Sequence, residues 1–436
     1  MIEGRWRTSA WLSVERVRVT NRPDGAGVLR LGATDRVMVI APHPDDEALA
    51  TGGLLQSALA VGAAVRISYV TDGDNNPWAQ LVTEGRWPFR AADRARWGRR
   101  RRGEALAALA RLGVSEQHVE FLGFFDQGLT DLLLGGDDRP VRAIAGAIAS
   151  WRPTVLVAPS PADTHPDHSA VSVLTEFALA GLEPGDRLCR VLRYLIHPEP
   201  ERARGRLLVR LDREAQDRKR QAVLCHRTQL SWHRRQFLGY VHGSERFEIG
   251  SESSARDDAH PVHLAFFSRG ALHLAYECRG PVRLGPAMIR VAFETSTGGH
   301  ARLSIAHSVH PKCGNVLDTL TGNAVGLVSS MTGPRAVRLR LGLEGFAPPR
   351  LFFVKLEWPI ERRIGLFDSA GWRGVSVPRP NRMEAEQPES MATTRAEARA
   401  LSHSSAGSPD ATRLIPVGVH DTHCSAAKPS TDRAAS

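Results

Sequence analysis

The chain has 436 residues, more than one hydrophobic core usually holds, so two folded units and a tail are expected. Its 57 Lys and Arg against 47 Asp and Glu leave a net charge of +10, which suits an anionic partner or solvated basic helices. No recognition helix, zinc finger or aromatic single-strand platform supports nucleic acid, and no apolar run reaches the roughly 18 residues of a membrane span. Met1 to Arg18 lacks the apolar core of a secretory signal, so a cytoplasmic site is expected, with contact at a membrane face left open. Ile2-Glu3-Gly4-Arg5 reads either as a protease-recognition scar or as coincidence, and it has no part in fold reasoning. The five cysteines, Cys189, Cys225, Cys278, Cys313 and Cys424, have no CxxC spacing and read as reduced thiols.

In chain order, residues 1–34 form an N-terminal extension. Apolar runs at Val37–Ile40, Val65–Val70, Val119–Leu122, Thr154–Ala158 and Val191–Ile196 then alternate with amphipathic stretches near 47–61, 91–112, 139–151 and 168–181. Such alternation predicts an α/β fold over 35–243, a Rossmann-like, mostly parallel sheet flanked by helices. The turn after the first strand has no GxGxxG, which removes a dinucleotide reading. Arginines crowd between Arg86 and Arg102. At about 100° per residue the run Arg99–Arg102 spreads around a helix, so one arginine can face a cleft while others stay solvated, with Arg100 pairing to Glu104.

From 244 to 378 short β-type runs, Val262–Phe267, Ala271–Glu277, Met288–Phe293, Ala301–Ala306, Ala336–Leu341 and Leu351–Trp358, predict a β-rich, sandwich-like accessory domain. Trp358 and Trp372 could stack on sugar rings there, as in a carbohydrate-binding module; the competing reading has them buried. Residues 379–436 are rich in Ser, Ala, Thr, Pro and charge and predict a disordered tail, in which His420, His423 and Cys424 receive no function.

The chemistry concentrates in two loops. His43-Pro44-Asp45-Asp46-Glu47 follows the first strand, and His165-Pro166-Asp167-His168 follows Thr154–Ala158. A histidine and a carboxylate three residues apart can converge on one divalent ion, leaving the intervening Asp45 free to act on water. Taken alone, Asp45 or Asp46 reads equally as a helix cap. Open α/β sheets gather active-site groups at such strand ends, so the two loops are expected to meet. Thr71-Asp72-Gly73-Asp74, at another strand end, should line the same cleft.

These loops, with Arg101-Arg102-Gly103-Glu104, Leu112-Gly113-Val114, Phe121-Leu122-Gly123-Phe124-Phe125-Asp126, Lys219-Arg220-Gln221-Ala222 and His226-Arg227-Thr228-Gln229, resemble the LmbE/PIG-L family of zinc-dependent N-deacetylases over about residues 35–232. The resemblance implies that His43, Asp46 and His168 hold Zn2+, with Fe2+ as another ion the set accepts, and that Asp45 is the general base. It implies that His165 stabilises the oxyanion or donates a proton, with Asp167 orienting it and favouring its imidazolium form. It further implies removal of an N-acetyl group from an amino-sugar glycoconjugate, with an anionic or lipid-linked substrate suiting the charge. Hydrolysis of another amide or ester, a metal-dependent phosphoesterase, and a non-catalytic carbohydrate-binding protein are the alternatives.

Overall fold

The computed structural model describes residues 27–377 apart from 184–188, 198–206, 251–259, 278–286, 308–312, 333–335, 359–366 and a few shorter gaps. Ile2–Arg5, the expected tail at 379–436 and its His420, His423 and Cys424 lie outside the described residues.

A two-residue strand, β1 (Gly27–Val28), precedes the alternation β2 (Arg36–Ala41), α1 (Asp46–Ala60), β3 (Ala64–Thr71), α2 (Pro77–Glu84), α3 (Ala91–Arg111), β4 (Val119–Phe124), α4 (Leu129–Leu134), α5 (Arg139–Trp151), β5 (Val155–Pro159), α6 (Pro166–Gly181) and β6 (Arg190–Tyr194). Four further elements, β7 (Leu207–Arg210), α7 (Arg213–Val223), α8 (Arg227–Leu238) and β8 (Ser244–Ile249), complete the first sheet, whose order is β1-β7-β8-β6-β5-β2-β3-β4. Pairings among β2 to β6 are parallel, whereas β8 runs antiparallel to both neighbours. The fold is mixed α/β with a mostly parallel central sheet.

The alternation within each strand explains why the sheet is buried on both faces. Val37, Val39 and Ala41 of β2 join Val155 and Val157 of β5 in one apolar cluster under α1, α3 and α7, while Met38, Ile40, Leu156 and Ala158 point into a second cluster with α4, α5 and α6. Successive side chains leave a strand on opposite faces, so unbroken apolar runs are what a sheet covered on both sides requires. Among the described residues, no helix is long and apolar enough to cross a membrane.

Strands β9 (Leu264–Ser268), β10 (Ala271–Glu277), β11 (Ala287–Thr295), β12 (His300–His307), β13 (Cys313–Asp318), β14 (Ala324–Thr332), β15 (Ala336–Gly342), β16 (Pro349–Glu357) and β17 (Arg373–Gly374) form one nine-stranded antiparallel sheet, ordered β17-β16-β11-β12-β13-β14-β15-β10-β9. Leu274 and Tyr276 near one end of that order share a buried cluster with Val291 and Leu356 near the other. The β-rich part also packs on the α/β part: Ala292, Phe353 and Trp372 belong to the cluster of α5 and α6, Phe353 meets Phe177 edge-on at 5.8 Å, and Arg302 Nε donates to the Leu133 carbonyl at 2.9 Å.

Two expectations change here. Dividing the chain between 243 and 244 would detach β8, which belongs to the first sheet. Glu245 on β8 accepts from the Gly53 and Leu54 N–H groups at 2.7 and 2.9 Å and from Lys219 Nζ at 2.7 Å, tying β8 to α1 and α7. The sugar-stacking reading of Trp358 and Trp372 also fails, because both are buried in apolar clusters. Glu245→Ala should lower the unfolding free energy by about 3–5 kcal/mol in denaturant titration, because Lys219 is left as an unpaired buried charge; Lys219→Met combined with Glu245→Leu should recover much of the loss.

Candidate metal centre and active-site cavity

The two loops meet because β2 and β5 are neighbours. His43, Asp45 and Asp46 follow β2, and Asp163, His165, Asp167 and His168 follow β5. His43 Nδ1 lies 3.2 Å from His168 Nε2 and 3.4 Å from Asp46 Oδ2, and His168 Nε2 lies 3.3 Å from the same Asp46 oxygen. Ligands about 2.0–2.1 Å from a tetrahedral ion are spaced roughly 3.3 Å apart, so these three atoms have the separations of one face of such a shell.

The opposite nitrogen of each imidazole faces carboxylates. His168 Nδ1 is 3.1 Å from Asp163 Oδ2, and His43 Nε2 is 3.0 Å from Asp126 Oδ1 and 3.5 Å from Asp167 Oδ2. Asp163 holds the far nitrogen of His168 in a hydrogen bond and so turns its near nitrogen toward the shared position, while the far nitrogen of His43 lies close to two carboxylates without a hydrogen bond; a carboxylate behind the ring is the arrangement that orients metal-binding histidines. Other trios, His43 with His165 and His168, Asp163 with His168 and His197, and His43 with Asp126 and Asp167, also place donors within 4.8 Å of one another. Their extra members have prior commitments. Asp163 accepts from the N–H groups of His165, Ile196 and His197, and Asp167 from those of Gln127 and Leu129. His43, Asp46 and His168 bring their three donor atoms within 3.2–3.4 Å of one another.

Burial opposes the charge on Asp46, yet His168 and His43 hold its carboxyl below the usual range. Asp45 behaves differently: burial, aided by the charge of Asp46 and resisted by Arg101, pushes its carboxyl up to about 6. Its backbone φ of +146° is strained for a non-glycine residue, worth about 1–3 kcal/mol. Three contacts hold it there. The Asp45 N–H donates to Glu47 Oε2 at 3.0 Å, Arg101 Nη2 donates to Asp45 Oδ2 at 2.8 Å, and the same nitrogen donates to the Pro44 carbonyl at 2.8 Å. Asp45 occupies the N-cap position of α1, but its side chain makes no capping bond, so capping does not account for it.

Arg101 is the arginine of its run that turns inward; Arg100 stays outside, 3.6 Å from Glu104. Arg101 passes against Gly73, where a Cβ would sit 2.1 Å from Nη1, and donates to the Gly73 carbonyl at 2.9 Å. The Thr71–Asp74 segment therefore braces the site from behind instead of lining it: Asp74 accepts from the Asp126 N–H at 3.1 Å, and Thr71 Oγ1 donates to the Pro42 carbonyl at 2.9 Å.

His165 and Asp167 are close, but not in the expected way. The Asp167 backbone N–H donates to His165 Nδ1 at 3.2 Å, while the Asp167 carboxylate serves Gln127, Leu129 and His43. Burial and the neighbouring His168 and His43 lower the His165 pKa well below its ordinary value. The expected imidazolium is therefore replaced by a neutral ring that accepts at Nδ1 and carries its proton on Nε2.

Several contributors were not anticipated. Asp163 stands two residues before His165, just ahead of the quoted loop. His226 Nε2 lies 3.2 Å from Glu47 Oε1, extending a chain from α8 to the Asp45 backbone. His197, its pKa lowered to about 4 by burial, packs 5.6 Å from the His165 ring. A cavity of about 620 Å³ opens over His43, Asp45, Asp46, His165 and His168. One of its walls is formed by Gln229, Trp232, His233, Gln236 and Phe237 of α8, which kinks at His233, with Tyr240 just beyond, and Trp78, Trp232 and Phe367 on its lining are about half exposed.

Residues 38–179 match the family described as PIG-L, GlcNAc-PI de-N-acetylase. This segment is a PIG-L domain. A 1D-myo-inositol 2-acetamido-2-deoxy-alpha-D-glucopyranoside deacetylase from Gordonia bronchialis is 34% identical over 167 residues, covering 33% of this chain and 56% of the relative. The protein of that description from Mycobacterium avium is 35% identical over 153 residues, covering 32% and 49%. The chain thus spans about half the length of these curated relatives. Among solved structures, a conserved protein from Thermus thermophilus is 28% identical with a TM-score of 0.37, covering 50% of this chain and 94% of that one. The matched segment contains His43, Asp45, Asp46, Asp126, Asp163, His165, Asp167 and His168, and ends before His197, α7, α8 and the β-rich part.

Asp163→Asn should weaken metal affinity by about 10–100-fold, measured by chelator competition, since it removes the carboxylate that orients His168.

Proposed function

We propose that this chain is a metal-dependent hydrolase that removes the N-acetyl group from an N-acetylglucosamine-type amino sugar carried in a glycoconjugate. The observation that carries this reading is the convergence of His43, Asp46 and His168 with the Asp45 carboxylate beside them. The PIG-L match and the names of the relatives support the same chemistry.

His43, Asp46 and His168 would hold the ion, which we take to be Zn2+, with Fe2+ compatible with the same donors. When bound, a divalent ion supplies Lewis acidity, bringing the pKa of water to about 7 and polarising the acyl oxygen. Asp45 accepts the proton of the attacking water and returns it to the departing amine nitrogen; with its pKa raised to about 6 it is ionised at neutral pH yet able to hold a proton in transit. Arg101 and Glu47 keep that carboxylate aimed into the cavity. His165 offers Nε2–H to the oxygen that gathers charge, and as a neutral donor it consumes no proton. Asp167 works through position, fixing His165 with its N–H and facing His43 with its carboxylate. Exposed Arg234 and Arg235 beside Trp232 suit an anionic or lipid-linked conjugate.

His43→Ala and His168→Ala should each lose both bound metal and acetate release; full metal occupancy with a normal rate in either variant would reject the ligand set. Asp45→Asn should keep the fold and most of the metal but lose about 10²–10⁴-fold in kcat, and near-normal turnover would assign the proton to another group. The carboxylate must be ionised to accept, so activity should fall as pH drops through about 6 or lower, because positive charge at the triad moves Asp45 downward. Measuring kcat/KM against pH checks this, and a flat profile between pH 4 and 7, on the order of three units wide, would exclude the assignment.

A further inference from the structure

Among the described residues, the β-rich part places one side chain, Phe367, in the cavity. Phe367 lies on the segment leading into β17, and its ring centroid is 5.4 Å from that of His165 and 4.7 Å from that of His197. The His165 ring is in turn 4.8 Å from His43 and 4.7 Å from His168. We propose that Phe367 is a specificity-determining wall of the cavity, its ring stacking against the apolar C–H face of the pyranose whose acyl group is cleaved. This rests on the deacetylase reading.

The argument is the contrast between the ring and its backing. The Asp368 N–H donates to the Thr164 carbonyl at 2.9 Å, and the buried Asp368 carboxylate is paired with Lys355. At Gly371 the chain presses so closely on the His165 loop that a Cβ would lie 2.1 Å from the Pro161 carbonyl oxygen. Trp372 is sunk in the apolar cluster below. The segment is thus locked to the loop that carries His165 and His168, yet Phe367 is 48% exposed. An aromatic serving as packing would be covered. A half-exposed ring carried on backbone fixed at Asp368 and Gly371 is pre-organised for a ligand, and losing little freedom on binding favours affinity.

The ligand class follows from distance and chemistry. Phenylalanine offers a flat π face and no hydrogen bond, which matches the C–H face of a pyranose. In an N-acetylated sugar only the amide nitrogen separates the acyl carbon from the ring. A substrate with its acyl group at His43, His168 and His165 therefore has its pyranose at the next position outward, beside Phe367.

The test compares wild type with Phe367→Ala, Phe367→Leu and Phe367→Tyr in the full metal-loaded chain, using N-acetylglucosamine as probe, with metal content and thermal midpoint as folding controls. Loss of stacking should raise KM about 10-fold in the Ala and Leu variants with little change in kcat, and Tyr should restore it. Unchanged KM in Ala, or full rescue by Leu, which fills the space without a flat face, would overturn the proposal. So would lower kcat accompanied by metal loss and no rescue by Tyr. If wild type releases no acetate, calorimetric titration of the same sugar separates the two ideas: binding weakened in Ala and Leu but kept in Tyr supports the wall while the deacetylase reading falls. Equal binding in all four, or none in any, overturns the wall as well.

Discussion

Parallel pairing of β2 with β5, with Val39 opposite Val157, is the constraint from which the site follows. From β2 the chain moves outward through β3 to β4 on one side, then crosses back to β5 and continues to β6 on the other. The loops leaving adjacent strands consequently diverge to opposite faces of the sheet and open a crevice between them at the carboxyl ends, the position where α/β sheets bind ligands. Residues 125 apart in sequence, His43 and His168, meet there at 3.2 Å. The pairing itself rests on apolar burial: Val37, Met38, Val39, Ile40, Val155, Leu156 and Val157 are fully covered, each contributing about 1.5–3 kcal/mol relative to exposure. The apolar strands fix the polar loops.

What gathers in the crevice is an excess of buried carboxylate. Asp45, Asp46, Asp126, Asp163, Asp167 and Glu47 are all buried, against Arg101 as a fixed cation and His43, His168 and His226 as conditional ones. Burying charge without compensation is costly, and the raised pKa values of His43, His168 and His226 express the same pressure toward positive charge. For His43 and His168, the proposed divalent cation at their converging nitrogens would answer that pressure without protonating them. Asp45 then stands apart from the other acids. It is braced by Arg101 and the Glu47–His226 pair instead of being shared with the histidines, and its environment moves it toward neutrality while that of Asp46 moves it away. Adjacent residues thereby acquire different chemistry, one suited to carrying a proton and one to holding charge.

The five central strands were legible in the sequence because each is a short stretch dominated by β-type apolar residues, unbroken in β2 and β5, and His43, Asp45, Asp46, His165, Asp167 and His168 because their loops directly follow those two. Arg101 was legible as one inward residue among four. Other features depended on partners that local pattern cannot name. The sequence Ser244–Ile249 alternates polar and apolar residues like any edge strand, and only its pairings with β6 and β7 place it inside the first sheet. Asp163 was written in the same loop as His165 and His168, but its role depends on a turn that points it back at His168. Asp167 was misread for the same reason: a carboxylate two residues from a histidine is near in sequence, yet the helix start directs it to Gln127 and Leu129 and leaves only its N–H for His165. The stripe Gln229, Trp232, His233, Gln236, Phe237 and Tyr240 has helical spacing that was available to read; its mixture of amides and aromatics marks a wall facing a cavity more than one facing a core.

Chemistry and access are therefore encoded in different stretches of the chain. The converging donors, the proposed base and the neutral histidine all lie within residues 38–179, whereas α8 and Phe367, which shape much of the outer cavity, lie beyond them. The β-rich sheet is no appendage in this arrangement, because it shares an apolar cluster with α5 and α6 and clamps the His165 loop through Asp368 and Gly371. A change in that sheet would reach the reaction centre through the loop it holds and would reach the substrate through the ring it presents. On the proposed function, a segment that matches the family joined to an outer wall beyond the matched residues permits the same bond-breaking geometry to serve a different molecule, since the interactions that select a substrate are made several ångströms from the bond that is cut.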